Sequence, residues 1–137
     1  MNKLLVITSC STRRETDGYR FDKKFLAGME MDCAGWNGTV HCIMPDIKGK
    51  LSFSKVMRPE ELPFTFEIRA VDDRLTEADL ADFSTVICSG DSTMNFYLAD
   101  ICARLNIPLY FIIEYTLGTR LQIILLDRSM SFARKMR

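Results

Sequence analysis

Two short apolar runs, residues 85–88 and 109–113, flank a segment in which Met94, Leu98, Ile101, Cys102 and Leu105 recur at helical spacing. The pattern predicts a β-α-β unit over residues 84–115. Asp91 or Ser92 is placed to cap the first turn of its helix, and Asn106-Ile107-Pro108 to end that helix and hand the chain to the next strand. The turns at Gly90-Asp91-Ser92 and Glu114-Tyr115 then fall at carboxyl ends of strands, where open α/β sheets bind ligands.

Upstream, residues 3–8 (KLLVIT) form the continuous apolar run of a central parallel strand buried on both faces. Residues 9–18 (SCSTRRETDG) read as a polar loop at its carboxyl end. From Phe21 the positions Phe21, Phe25, Met29, Cys33 and Trp36 keep helical spacing, and Asn37-Gly38 stops the helix. Residues 39–44 (TVHCIM) predict a second strand, with His41, the only histidine, inside it as a buried or edge imidazole with a backbone partner. A long connection follows, with a short edge segment around residues 51–57. Residues 64–71 alternate apolar and polar positions, as a half-exposed strand near a sheet edge does, and Asp72-Asp73 ends it. Residues 76–83 predict a short helix with Thr76 as N-cap. Beyond the last strand, residues 116–137 read as a long helix, apolar through LQIILL and basic at Arg128, Arg134, Lys135 and Arg137. Those basic residues suit the helix dipole, with membrane-surface contact as the second reading. No Gly, Asn or Pro ends this segment, so the chain is expected to belong to a longer protein.

This order predicts an α/β fold, a Rossmann-like doubly wound parallel sheet of about five strands in the order 3-2-1-4-5, with helices on both faces and right-handed crossovers. The loops after strands 1 and 4 would face each other across the switch-point crevice, bordered by Glu114.

At 137 residues and 47% apolar, one domain with a real core is expected. Eighteen basic residues balance eighteen acidic ones, which argues against nucleic acid and for a small-molecule or protein partner. Five cysteines, odd in number and without a Cys-x-x-Cys pair, read as reduced residues of a cytoplasmic protein, and no metal site is expected. No apolar run approaches the roughly 20 residues needed to cross a bilayer.

The first turn has no glycine before Gly18, which excludes the dinucleotide fingerprint and the P-loop. A thiol phosphatase would need an arginine where Thr16 follows Cys10. A receiver domain would need an acidic pair where Ser9-Cys10 stands and a lysine where Glu114 stands, although Asp72 and Ser89 would fit. What remains is a crevice with the hydroxyls Ser9, Ser11, Thr12, Ser89 and Ser92, a helix N-terminus at Asp91-Ser92, Arg13, Arg14 and Glu114. Such groups hydrogen-bond sugar hydroxyls and bind phosphates. The acceptor or anion-binding candidates are Ser9, Ser11, Thr12, Arg13, Gly90, Asp91, Ser92, Tyr115 and Arg120, with Glu114 as the candidate for catalysis.

Residues 89–123, SGDSTMNFYLADICARLNIPLYFIIEYTLGTRLQI, resemble the N-terminal Rossmann-like domain of group 1 glycosyltransferases with the two-domain GT-B fold. The likeness extends to the first strand and to RPEELP at residues 58–63. It implies the acceptor-side half of a larger enzyme, with a small-molecule or glycan acceptor at an interdomain cleft. The nucleotide-sugar donor and an E-x7-E signature would belong to a C-terminal domain, so no cofactor is expected on this domain alone. Many members place a histidine where Glu114-Tyr115 stands, so their catalytic role does not transfer to Glu114. The family's glycine-rich first loop is also replaced by Ser9-Cys10-Ser11. The rival expectation is a non-catalytic α/β binding or regulatory module recognising a partner protein. Self-association through the helix at residues 116–137 is a further expectation.

Overall fold

A computed structural model of the chain describes residues 1–90 and 93–113. In chain order its elements are β1 (Lys3–Ile7), β2 (Arg13–Glu15), β3 (Gly18–Asp22), α1 (Lys23–Gly35), β4 (Thr39–Pro45), β5 (Ser54–Met57), β6 (Thr65–Arg69), α2 (Glu77–Leu80), β7 (Thr85–Ser89), α3 (Leu98–Leu105) and β8 (Leu109–Ile112). Five strands form one sheet in the order β6-β4-β1-β7-β8, and every neighbouring pair is parallel. This is the expected order, in an α/β arrangement consistent with a Rossmann-like fold. A second, antiparallel sheet of three strands, β2-β3-β5, was not expected.

The central position of β1 follows from its composition. Leu4, Leu5, Val6 and Ile7 are all buried, which only a strand covered on both faces allows. Side chains alternate along the pleat, so they divide between two cores. Leu4 and Val6 join Val40, Cys42 and Met44 of β4, Leu26 and Met29 of α1, and Phe21. Leu5 and Ile7 join Ile43, Val86, Cys88, Leu80 of α2, and Leu98, Ile101 and Cys102 of α3.

Residues 9–18 are not simply a polar loop. Arg13–Glu15 pairs with Gly18–Asp22 as a hairpin, and β5 adds to its other edge, accounting for the short segment expected around residues 51–57. Arg13 and Arg20 stand opposite each other in the register, and Glu15 offsets that like-charge pair. Its carboxylate accepts from Arg20 Nε at 2.5 Å and Nη2 at 3.1 Å, and from Arg13 Nη2 at 3.2 Å. Gly18 closes the turn at φ 150°, where a Cβ would lie 2.5 Å from the Met57 carbonyl oxygen.

Phe21, expected as the first apolar position of a helix, is the fully buried residue of β3. The strand runs straight into α1, whose N-cap is Asp22, its carboxylate accepting the Phe25 N–H at 2.9 Å. Phe21 packs on Phe25, Phe64 and Phe66 with ring centroids 5.3–6.3 Å apart. Helical spacing therefore began one element too early, because a strand residue just before the cap packs like a residue of the first turn.

The helix expected from Asp91 or Ser92 starts at Leu98 instead, after a 3-10 turn at Thr93–Asn95. Met94, expected on its apolar face, is exposed. Its end is as expected: Asn106 takes the left-handed conformation at φ 55°, and Ile107 N–H donates to Cys102 O at 2.9 Å. Thr76 caps α2 as expected, with Asp79 Oδ2 accepting from both its N–H and its hydroxyl at 2.7 Å. His41 lies within β4, but its partner is a side chain and not the backbone: Nδ1 lies 2.8 Å from Thr65 Oγ1 on the edge strand β6. Among the described residues no helix is long and apolar enough to cross a membrane.

Candidate functional site

Parallel strands leave their carboxyl ends at one edge of the sheet, and side chains there project from loops that the sheet holds in place. A cavity of about 530 Å³ opens at that edge. β1 contributes Ile7 and, just beyond it, Thr8 and Ser9; β4 contributes Ile43, Met44 and Pro45. The run from Arg69 through Leu75, which leaves β6, forms a wall, and Met94, Asn95 and Tyr97 close the side next to α3.

The wall is fixed by specific contacts. Tyr97 sits one residue before α3, and its hydroxyl accepts the Leu75 N–H at 2.8 Å. The Arg74 guanidinium lies over the same ring, 4.1 Å from its centroid. Arg69 donates to Glu67 at 2.7 Å and to Asp79 at 2.9 Å, and Asp73 lies 3.9 Å away. Those hydrogen bonds, with Asp79 first, raise the Arg69 pKa above its ordinary value against the effect of burial. Asp79 is held down at about 2, by the hydroxyl and N–H of Thr76 first and by Arg69 next. Asn95 Nδ2 donates to Ser89 O at 3.4 Å, and the Thr8 hydroxyl accepts the Cys10 N–H at 3.0 Å.

Of the sequence candidates, Ser9 alone among the described ones lines this cavity. Thr12 is buried away from this cavity, and its hydroxyl donates to Arg20 O at 2.8 Å, binding the hairpin together. Arg13 is an exposed residue of β2, paired with Glu15 and directed into the antiparallel sheet's own charge cluster. Ser11, half-buried just before β2, is not among the cavity residues. Gly90 is buried and donates its N–H to Ile112 O at 2.8 Å; a Cβ there would come within 3.0 Å of Ile113 and 3.1 Å of Phe111. It fits β7 against the end of β8. Asp91, Ser92, Glu114, Tyr115, Arg120 and the helix expected at residues 116–137 lie outside the described residues.

Asp72, Arg74, Asn95 and Tyr97 were missed as site residues. Asp72 ends a strand and would fit a receiver-domain pattern that fails elsewhere, although a strand's carboxyl end is where a ligand group is expected. Nothing in the sequence places Tyr97 against Leu75, since that contact spans a helix, a strand and a 3-10 turn.

Among the described residues no group of three or more His, Cys, Asp or Glu side chains is arranged to hold a metal ion. Cys33, Cys42, Cys88 and Cys102 are free thiols. Burial pushes Cys42 far up and Cys88 up to about 12, so neither is a nucleophile near neutral pH. No protein-family model, no curated protein and no solved structure matches the chain.

Proposed function

We propose that the chain is the N-terminal, acceptor-side domain of a two-domain glycosyltransferase, a doubly wound Rossmann-like unit with helices on both faces of its parallel sheet. The observation that carries this reading is the cavity at the carboxyl edge, walled by the segment after β6 and floored by β1 and β4, where such a domain holds its acceptor. The division of β1 between two cores supports the helices on both faces. The buried, high-pKa thiols of Cys42 and Cys88 suit a cytoplasmic setting. The nucleotide-sugar donor would be held by a C-terminal domain, and Glu114, which follows the last strand in sequence, is the candidate for contact with the acceptor hydroxyl.

The test is release of nucleoside diphosphate from a panel of nucleotide sugars by the full-length protein, with and without acceptors. Acceptor-dependent release that falls in Glu114→Gln and Asp72→Ala supports the reading. Absence of release across the panel removes it.

One feature favours a second reading, a binding module for a partner protein. Tyr110, Ile112 and Ile113 at the edge strand β8, and Phe96 beside them, are each more than half exposed. Replacement of Tyr110 and Ile112 by lysine would then abolish association measured by light scattering over a concentration series. Unchanged association would sink it.

A further inference from the structure

We propose, resting on the acceptor-domain reading above, that the ligand of this cavity is a neutral alcohol or phenol on an apolar, ring-sized body, and that Asp72 accepts the hydrogen bond of its hydroxyl.

The floor and walls are apolar: Ile7, Ile43 and Met44 below, Val71 and Leu75 on one side, the Tyr97 ring closing the other. The polar groups between them are mostly committed to the protein. Arg69 is bonded to two carboxylates, Asn95 to a carbonyl, Thr8 to a backbone N–H, and the Tyr97 hydroxyl to Leu75. A sugar ring buried here would lose water from every hydroxyl and find few partners, and each unmatched group weakens binding. An apolar ring meets no such penalty, and its burial is favourable.

Three side chains of the lining make no hydrogen bond or ion pair within the described structure, Ser9, Asp72 and Arg74, and all are exposed. An ionised carboxylate accepts hydrogen bonds only, so the group it selects is a donor, as a hydroxyl is. The Arg74 guanidinium is stacked on Tyr97, and its N–H groups make no hydrogen bond among the described residues, which by itself would suit an anion. The surrounding charge decides against one. Glu67, Asp72, Asp73 and Asp79 stand around Arg69 and Arg74, leaving an excess of negative charge that disfavours a ligand carboxylate or phosphate.

The experiment is titration of the full-length protein with naphthol, methoxynaphthalene, naphthoate and maltose, followed by calorimetry and by amide chemical shifts. Naphthol should bind tightest, naphthoate at least tenfold more weakly, and maltose not measurably. Asp72→Ala should weaken naphthol about tenfold, the loss of a hydrogen bond to a charged group, and leave methoxynaphthalene, which has no donor, unchanged. Ala70→Phe, which narrows the cavity from an exposed wall position, should weaken both probes with the melting temperature retained. Maltose or naphthoate binding as tightly as naphthol overturns the inference, as does an equal loss of both naphthalene probes in Asp72→Ala. Sugar transfer to oligosaccharides without naphthol binding overturns it while upholding the transferase. Naphthol binding at this cavity without any sugar transfer supports the ligand class and removes the transferase.

Discussion

The Tyr97 hydroxyl accepts the Leu75 N–H at 2.8 Å, joining two chain segments 22 residues apart. Leu75 is buried, so this amide has exchanged water for the phenol. Removing only the oxygen in Tyr97→Phe leaves the donor unsatisfied. The expected cost is about 1–2 kcal/mol, read as a melting temperature lower by several degrees, with naphthol affinity reduced because the wall loses its tie.

Asp79 links α2 to β6 through Arg69, and its pKa is held at about 2 from an ordinary 3.8. A folded-state value below the unfolded one means stability fully present above pH 4 and lost as pH falls through 2. The side chain is 24% exposed, so solvent screening reduces the contribution to about 1–2 kcal/mol. Denaturant unfolding at pH 6 and at pH 2.5 should show that loss in the parent protein and a smaller one in Asp79→Asn.

Burial holds His41 below the usual imidazole value, the Glu67 charge opposing and Arg69 assisting. A base with a lowered folded pKa stays neutral in the fold while the unfolded chain takes up a proton. Stability therefore declines as pH falls below about 6.5, the unfolded value. Proton NMR of the ring should report a midpoint under 6.5, and a midpoint above it would contradict the burial seen here.

Phe21 is fully buried and joins the antiparallel sheet to the core that contains β1 and β4. Phe21→Ala should cost about 3–5 kcal/mol, measured by urea unfolding. An effect below 1 kcal/mol would mean that the hairpin does not dock there.

Arg13 supplies the opposite expectation. It is 59% exposed and, among the described residues, bonded to Glu15 alone, a surface pair of the kind that contributes about 0–1 kcal/mol. Arg13→Ala should leave stability within that range and ligand affinity unchanged. A fall in affinity would return this arginine to the site.

Much of the fold is legible along the chain, and the site is far less so. The apolar run at β1, the alternation at β6, the Thr76 cap and the Asn106 stop each express a local rule, and each element formed near its expected place. Local rules failed where two elements abut. Phe21 satisfied a helical period from the end of a strand, and Met94 satisfied one from a 3-10 turn that never joins α3. Charge-rich residues 9–18 read as a polar loop, although residues 13–15 pair with β3, because β5, the strand that completes their sheet, lies more than thirty residues beyond β3.

The sequence by itself determined the five strands of the parallel sheet and that their carboxyl ends point one way, because hydrophobic period and turn residues act within a few positions of each other. Only the tertiary structure decided which side chains meet at that edge. Thr12 and Arg13 were drawn into a hairpin by hydrogen bonds and ion pairs of their own. The segment after β6 was held across the cavity by Tyr97 and Arg69. Those contacts depend on loop closure over long stretches of chain, and no periodicity in the sequence encodes them.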